Sequence, residues 1–194
     1  MTKIDAASLM TLEAYAKARP KFRAEALAHK KSRTVAVGPN VTLIFEDELT
    51  IRYQIQEMLR VEKTFEAQGI QDELDAYNPL IPDGTNWKAT MLIEFRDAEE
   101  RKRQLAVLRG VEHHVWVQQQ CGARVTAIAD EDLERSNAEK TSAVHFLRFE
   151  LPPEMRAAFK AGAGLAIGID HPAYQAQTSV GEATRAALVK DLAA

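Results

Sequence analysis

Apolar and polar residues alternate from Val41 to Glu46, where Val41, Leu43 and Phe45 share one face, and again from Ala143 to Glu150, where Ala143, His145, Leu147 and Phe149 do. Successive side chains of a strand point to opposite faces, so both runs predict half-buried strands. Thr34 to Val37 precedes the first run across Gly38-Pro39-Asn40, a turn sequence, and the pair predicts a hairpin. Trp87 to Phe95, His113 to Gln119, Arg124 to Ala129 and Leu165 to Ile169 read as further strands, the middle two as an antiparallel pair turning around Cys121-Gly122-Ala123.

Helical spacing occupies the remaining stretches. Residues 1–31 predict two short helices: Asp5 caps the first, Leu9, Leu12 and Ala16 face inward, Pro20 interrupts, and Phe22, Ala26 and Leu27 form the second stripe. Asp47 is placed to cap a helix from Glu48 to Phe65 that Gly69 ends, and Gln71 to Tyr77 adds a turn or two before the loop Asn78-Pro79-Leu80-Ile81-Pro82-Asp83-Gly84. Asp97 opens a helix reaching Leu108 with Gly110 as its stop. Pro152-Pro153-Glu154 opens a short helix, and Ser179-Val180-Gly181-Glu182 is a capping-box pattern for the last one. The expected fold is α+β, a mainly antiparallel sheet packed with helices. It is expected as one domain over 1–194: a helical brace (1–31), a hairpin with a long polar helix and Pro-rich loop (34–84), and a sheet-rich part with a C-terminal helix (85–194).

One carboxylate breaks the pattern. At about 100° per residue, Ile51, Ile55, Met58, Val61 and Phe65 gather on one side of the long helix, and Glu62 falls near the centre of that stripe. A buried carboxylate needs a cation, a metal or several donors, so Glu62 is a site candidate unless an arginine such as Arg96, Arg109 or Arg148 pairs with it. The polar side of the same helix carries Arg52, Gln56, Glu57 and Arg60, with Gln54 at the edge of the apolar stripe. It reads either as a solvated face or as the wall of a cleft. In a cleft, Arg52 and Arg60 bind an anion or partner, Gln54 and Gln56 orient it, and Glu57 and Glu62 handle a proton.

A metal enzyme is the alternative. Glu62, Glu94, His145 and His171 are the candidate ligands for a non-haem iron, manganese or zinc ion, although no Glu-x-x-His or His-x-x-x-His spacing supports them. A core histidine bonded to a carbonyl is the bland reading of His145, and a surface histidine beside a turn that of His171. A structural homo-oligomer using the polar helix as its interface is the third reading. There is no Gly-rich phosphate loop, Gly-x-Ser-x-Gly elbow or dinucleotide fingerprint.

Composition narrows the classes. A formal net charge of -3 gives no basic field for nucleic acid, and the run Lys30, Lys31, Arg33 reads as a solvated helix end. The single cysteine, Cys121, rules out an intramolecular disulfide or a cysteine-rich cluster within the chain and reads as a bland thiol in a reducing compartment. No apolar stretch approaches the roughly 20 residues of a membrane span, and residues 1–5 lack the apolar core of a signal peptide, so a cytoplasmic location is expected.

The segments Phe45-Glu46, Arg52 to Glu62 and Tyr77-Asn78-Pro79-Leu80-Ile81-Pro82 resemble an uncharacterised bacterial family of about this length. Ala89-Thr90, Ile93-Glu94, Val144-His145-Phe146 and Asp170-His171-Pro172 extend the resemblance over nearly the whole chain. The family is a domain of unknown function, with no catalytic residues to carry over. Its members are often encoded near rubrerythrin-like and iron-sulfur proteins, which implies a place in oxidative-stress or electron-transfer metabolism. The expected function is accordingly an accessory or binding protein of a redox system, with a redox or iron-sulfur protein as partner.

Overall fold

In the computed structural model, which describes residues 3–120, 122–137 and 139–193, helix α1 (Leu12–Lys31) leads into strands β1 (Thr34–Ala36) and β2 (Val41–Phe45). Helices α2 (Glu48–Glu62) and α3 (Ala67–Tyr77) follow, then β3 (Asn86–Ile93) and α4 (Ala98–Val107). Next come β4 (Val115–Gln119), β5 (Arg124–Thr126), β6 (Ile128–Ala129) and β7 (Val144–Glu150). Helix α5 (Pro153–Lys160), strands β8 (Leu165–His171) and β9 (Tyr174–Ser179), and helix α6 (Glu182–Val189) complete the order. The strands form two antiparallel sheets, one ordered β1-β2-β3-β7-β6 and the other β5-β4-β8-β9. The fold is α+β, as the alternation of periods predicts.

The two sheets share one hydrophobic core. Val41, Leu43 and Phe45 of β2 meet Trp87, Ala89 and Met91 of β3 and Leu147 and Phe149 of β7, and the inward residues of β4 and β8 complete the same cluster. Helix α5 inserts Met155 and Phe159, and α6 inserts Leu188. Trp87 anchors the far end: its ring lies 5.0 Å from that of Phe159, and its indole N–H donates to the Leu188 carbonyl at 2.9 Å. A second, separate cluster of Ile4, Ile51, Ile55, Leu59, Leu74 and Ile81 holds the N-terminal segment, α2 and α3 together.

Arg33 links these parts, and it is not the solvated residue its basic neighbours suggest. At 1 % exposure, its guanidinium donates to the carbonyls of Phe45 (2.9 Å) and Glu46 (3.1 Å). It also pairs with Asp191, beyond α6, and with Asp47 at 3.4 Å. Asp47 in turn caps α2 through the Thr50 N–H at 3.0 Å, in a reciprocal capping box, and contacts His29 of α1 at 2.5 Å. One planar group with several donors thus joins the end of α1, the hairpin, the start of α2 and the C-terminal segment.

Several boundaries differ from the sequence reading for identifiable reasons. Pro20 lies inside a single helix. Proline frees the carbonyl four residues earlier, and both Ala16 and Pro20 are exposed, so water serves that group. Asp5 caps only a 3-10 turn, Ala6–Ser8. Helix α2 ends at Glu62 because Lys63 adopts φ 56, and Gly69 lies within α3. Its buried stripe is Ile51, Ile55 and Leu59, which leaves Val61 62 % and Phe65 74 % exposed. His113 and His114 sit on a 3-10 turn, Val111–His114, rather than on a strand. The segment after His171 is not a loop but a hairpin into β9, whose polar residues hid it. Gly181 rather than a side chain occupies the cap position of α6. Cys121 lies outside the described residues.

Three outcomes test this account. Arg33→Met leaves Asp191 buried without its cation and Asp47 with His29 alone, and is expected to cost about 3–5 kcal/mol in urea denaturation. Burial pushes the Asp191 carboxyl up from 3.8 to about 6, against the pull of Arg33. The folded chain therefore holds this proton more tightly than the unfolded one, so the stability from this group is full below 3.8 and is lost as pH rises through about 6. Asp191→Asn, always neutral, should gain on the wild-type protein over that window, and equal pH slopes would contradict the assignment. Finally, a Cβ on Gly168 would stand 2.1 Å from the Trp116 ring, over which the Arg124 guanidinium is stacked at 3.7 Å. Gly168→Ala is expected to lower stability by about 1–3 kcal/mol, read from the midpoint of thermal unfolding.

Candidate functional site

The two hydrophobic clusters do not merge, and the space between them is a groove. Its floor is the outer face of the β1-β2-β3-β7-β6 sheet, where Ile44, Thr90 and Phe146 form one cross-strand row and Lys88 and Arg148 stand side by side in the next. Its roof is α2, α3 and the 3-10 turn Asn78–Leu80, which contribute Gln54, Met58, Tyr77 and Leu80. A cavity of about 440 Å³ at the Lys88 end and one of about 280 Å³ at the Ile44 end share Tyr77, Leu80 and Phe146. Exposed residues edge the larger one on both sides, Asp75, Ala76 and Pro79 along one bank and Glu131 and Asp132 along the other.

Most charges in the groove are already matched. Arg148 donates to Glu131 at 2.7 and 2.8 Å and to Glu150 at 2.6 Å. Arg135 grips Asp132 with two bonds of 2.5 and 2.7 Å and lies over the Phe146 ring at 4.5 Å. Glu46 on the floor accepts from the Thr90 hydroxyl at 2.6 Å, and Gln54 and Tyr77 line the Ile44 end together. Lys88 is different. Its ammonium donates to the Pro79 carbonyl, and no salt bridge among the described residues includes it. Burial pushes its pKa below the ordinary lysine range, with Asp83 opposing and Arg148 reinforcing that shift. The strand alternation that turns Trp87 inward turns Lys88 outward, and this was the signal available in the sequence.

The polar side of α2 does not line the groove. It packs on the N-terminal segment. Gln56 is clasped to the backbone of Met10, accepting at 2.8 Å and donating at 3.3 Å. Arg52 donates to the Ser8 carbonyl at 2.8 Å and pairs with Glu48. Glu57 accepts from Arg19 at 2.7 and 2.9 Å, from the Tyr15 hydroxyl at 2.6 Å and from Arg60 at 3.3 Å. The Arg19 guanidinium, chiefly, brings its carboxyl down to about 2. Glu57 is therefore a bound counter-ion on a brace. Of the expected binding residues, Gln54 alone faces the groove; Arg52, Gln56 and Arg60 serve the brace.

Glu62, Glu94, His145 and His171 are not brought together. Glu62 is exposed at the last turn of α2, because the buried stripe follows Leu59 instead of Val61. Glu94, also exposed, accepts from Thr42 at 2.9 Å. His171 bonds the Arg109 carbonyl through Nε2 at 3.1 Å and accepts the Ala173 N–H at 3.2 Å. His145, fully buried, has other neighbours. Its Nδ1 contacts Asp130 at 2.5 Å, and its Nε2 meets the Thr141 hydroxyl at 2.9 Å. Thr141 contacts Ser136 at 2.7 Å, and Ser136 donates to Glu112 at 2.5 Å. Asp130, Ser136 and Thr141 come from the polar excursion before β7, and Glu112 from the 3-10 turn before β4. Nothing in their local sequence marks them as buried.

No helix among the described residues is long and apolar enough to cross a membrane. The chain is similar to a solved protein described as a novel protein of unknown function from Burkholderia pseudomallei, at 53 % identity and a TM-score of 0.95, over 99 % of this chain and 100 % of that one. No curated protein matches. Residues 3–192 match the family described as "Protein of unknown function (DUF3501)", and the chain belongs to that family.

Proposed function

We propose that the chain is a ligand-binding protein whose groove takes a small amphipathic organic anion, with the anionic group on Lys88 and the apolar body against Phe146, Leu80 and Met58. The observation that carries this reading is Lys88: a half-buried ammonium, bonded to one backbone carbonyl and in no salt bridge among the described residues, with Asp83, Glu131 and Glu150 acting on it only at longer range, at the end of a cavity of ligand size where Met58, Leu80 and Phe146 offer apolar surface. A partly desolvated cation is stabilised by a carboxylate, sulfonate or phosphate that replaces its missing counter-ion. Arg148 and Arg135 are already neutralised, so the site favours one anionic group. The acidic residues of the two banks, Glu73 and Asp75 on one and Glu131 and Asp132 on the other, disfavour ligands with several.

In this reading the chain acts as an accessory protein, holding its ligand for a partner in a redox system of the cytoplasm. The groove supplies a floor, a roof and, in Lys88, a cation that no salt bridge among the described residues occupies. That arrangement suits binding and presentation more than chemistry on the ligand.

The test uses 8-anilinonaphthalene-1-sulfonate as a fluorescent probe, displaced by decanoate. One saturable site is expected on the folded protein. A lost charge-assisted bond is worth about 1.5–3 kcal/mol, so Lys88→Gln should weaken the probe about 10- to 100-fold, and Phe146→Ala should weaken it as well. Unchanged affinity in a Lys88→Gln protein of native circular dichroism, or no saturable binding by the wild type, would sink the proposal.

A further inference from the structure

Glu112 is a buried carboxylate that no lysine or arginine among the described residues pairs with. It is 2 % exposed, and its hydrogen-bond donors are two hydroxyls, Ser136 at 2.5 Å and Thr141 at 3.3 Å. The imidazoles of His113 and His145 each approach only to 3.9 Å. A second carboxylate, Asp130, closes the other side of His145 at 2.5 Å. Arg135 reaches Asp130 at 3.5 Å, but its guanidinium is committed to Asp132. Two carboxylates thus share one imidazole. With both ring nitrogens protonated, the group keeps one negative charge in a poorly solvated place. A dication beside a neutral His145 brings the same group to zero.

The geometry suits that exchange. Metal-bound histidines commonly donate their other ring N–H to a carboxylate, which orients the ring, and Asp130 stands in that position at Nδ1. Asp130 is itself fixed: it sits at φ 51, and its second oxygen accepts the Phe146 N–H at 2.9 Å. Nε2, which also bonds the Ser142 carbonyl at 3.1 Å, then faces Glu112 across 3.9 Å, and an ion there displaces the proton shared with that carbonyl. An ion held at about 2.0–2.2 Å from each partner bridges a gap of that size at a wide angle. The Thr141 hydroxyl lies between them, 2.9 Å from Nε2 and 3.3 Å from the carboxylate.

We propose that Glu112, Asp130 and His145 form a divalent metal site, in which His145 Nε2 and a Glu112 oxygen bind the ion, Thr141 adds its hydroxyl, and Asp130 orients the imidazole. Nitrogen and oxygen donors without sulfur suit zinc, manganese or ferrous iron. The site also fastens the excursion between Asp130 and Thr141, whose outward residues Glu131, Asp132 and Arg135 form one bank of the groove. The inference does not depend on what the groove binds.

The experiment titrates chelator-stripped, untagged protein with Zn²⁺ and separately with Mn²⁺ by calorimetry. One ion per chain is expected. Glu112→Gln and His145→Gln should each lower affinity about 100-fold or more, and loss of the orienting carboxylate in Asp130→Asn about 10- to 100-fold. Lys88→Gln should leave the titration unchanged, which separates this site from the groove. Mn²⁺ should also broaden the ring resonances of His145 before those of His114 or His171 in the wild-type protein, a readout that needs no core substitution. No saturable binding by the wild type, broadening centred on another histidine, or full affinity in a folded Glu112→Gln protein would overturn the site.

Discussion

The fold depends on one buried guanidinium. Arg33 satisfies the backbone where β2 leaves the sheet, neutralises the carboxylate that caps α2, and holds the C-terminal segment through Asp191. Burying a guanidinium is costly unless its hydrogen-bond acceptors and its counter-ions are all in place. Arg33 has both, drawn from segments distant in sequence, so each segment has one acceptable position around it. Apolar contacts in the shared core supply most of the attraction between the layers. Arg33 supplies direction, which apolar contacts lack.

Where the layers meet without merging, the structure leaves room. The helical layer has its own small core, and the sheet below turns a mixed face of Ile44, Thr90, Phe146, Lys88 and Arg148 towards it. Ion pairs cannot interdigitate as closely as aliphatic side chains, so a seam with this composition does not fill. The groove follows from the outward positions of β3 and β7, not from an irregular loop. The rigid scaffold therefore sets its floor, while the exposed banks on either side are free to vary.

Much of the scaffold was legible in the sequence, because its determinants are local. Val41, Leu43 and Phe45 alternate and are buried together; Asp47 and Asp97 cap the helices they precede; His145 lies inward with Leu147 and Phe149. Failures occurred where a local rule was overridden from outside the segment. Pro20 did not break α1, because water reaches the carbonyl it frees. The buried stripe of α2 runs through Ile51, Ile55 and Leu59, so Val61 and Glu62 face solvent in its last turn, Lys63 ends the helix before Phe65, and the carboxylate that looked anomalous is solvated. β9 escaped notice because an edge strand of Tyr, Gln, Ala and Thr carries little apolar signal. The site residues were least legible. Lys88 and Glu112 owe their interest to what surrounds them, and those surroundings come from other parts of the chain.

The contact between Arg33 and Asp191 spans 158 residues, and that between Trp87 and Leu188 spans 101. Neither exists while the C-terminal helix is still inside the ribosome. During synthesis the β1–β3 meander emerges early with its deepest aromatic uncovered and its arginine short of one of its two carboxylates. Long-range closure of this kind slows folding, since the entropy of bringing distant segments together is lost before their contacts form. The core therefore closes only once Leu188 and Asp191 have reached Trp87 and Arg33.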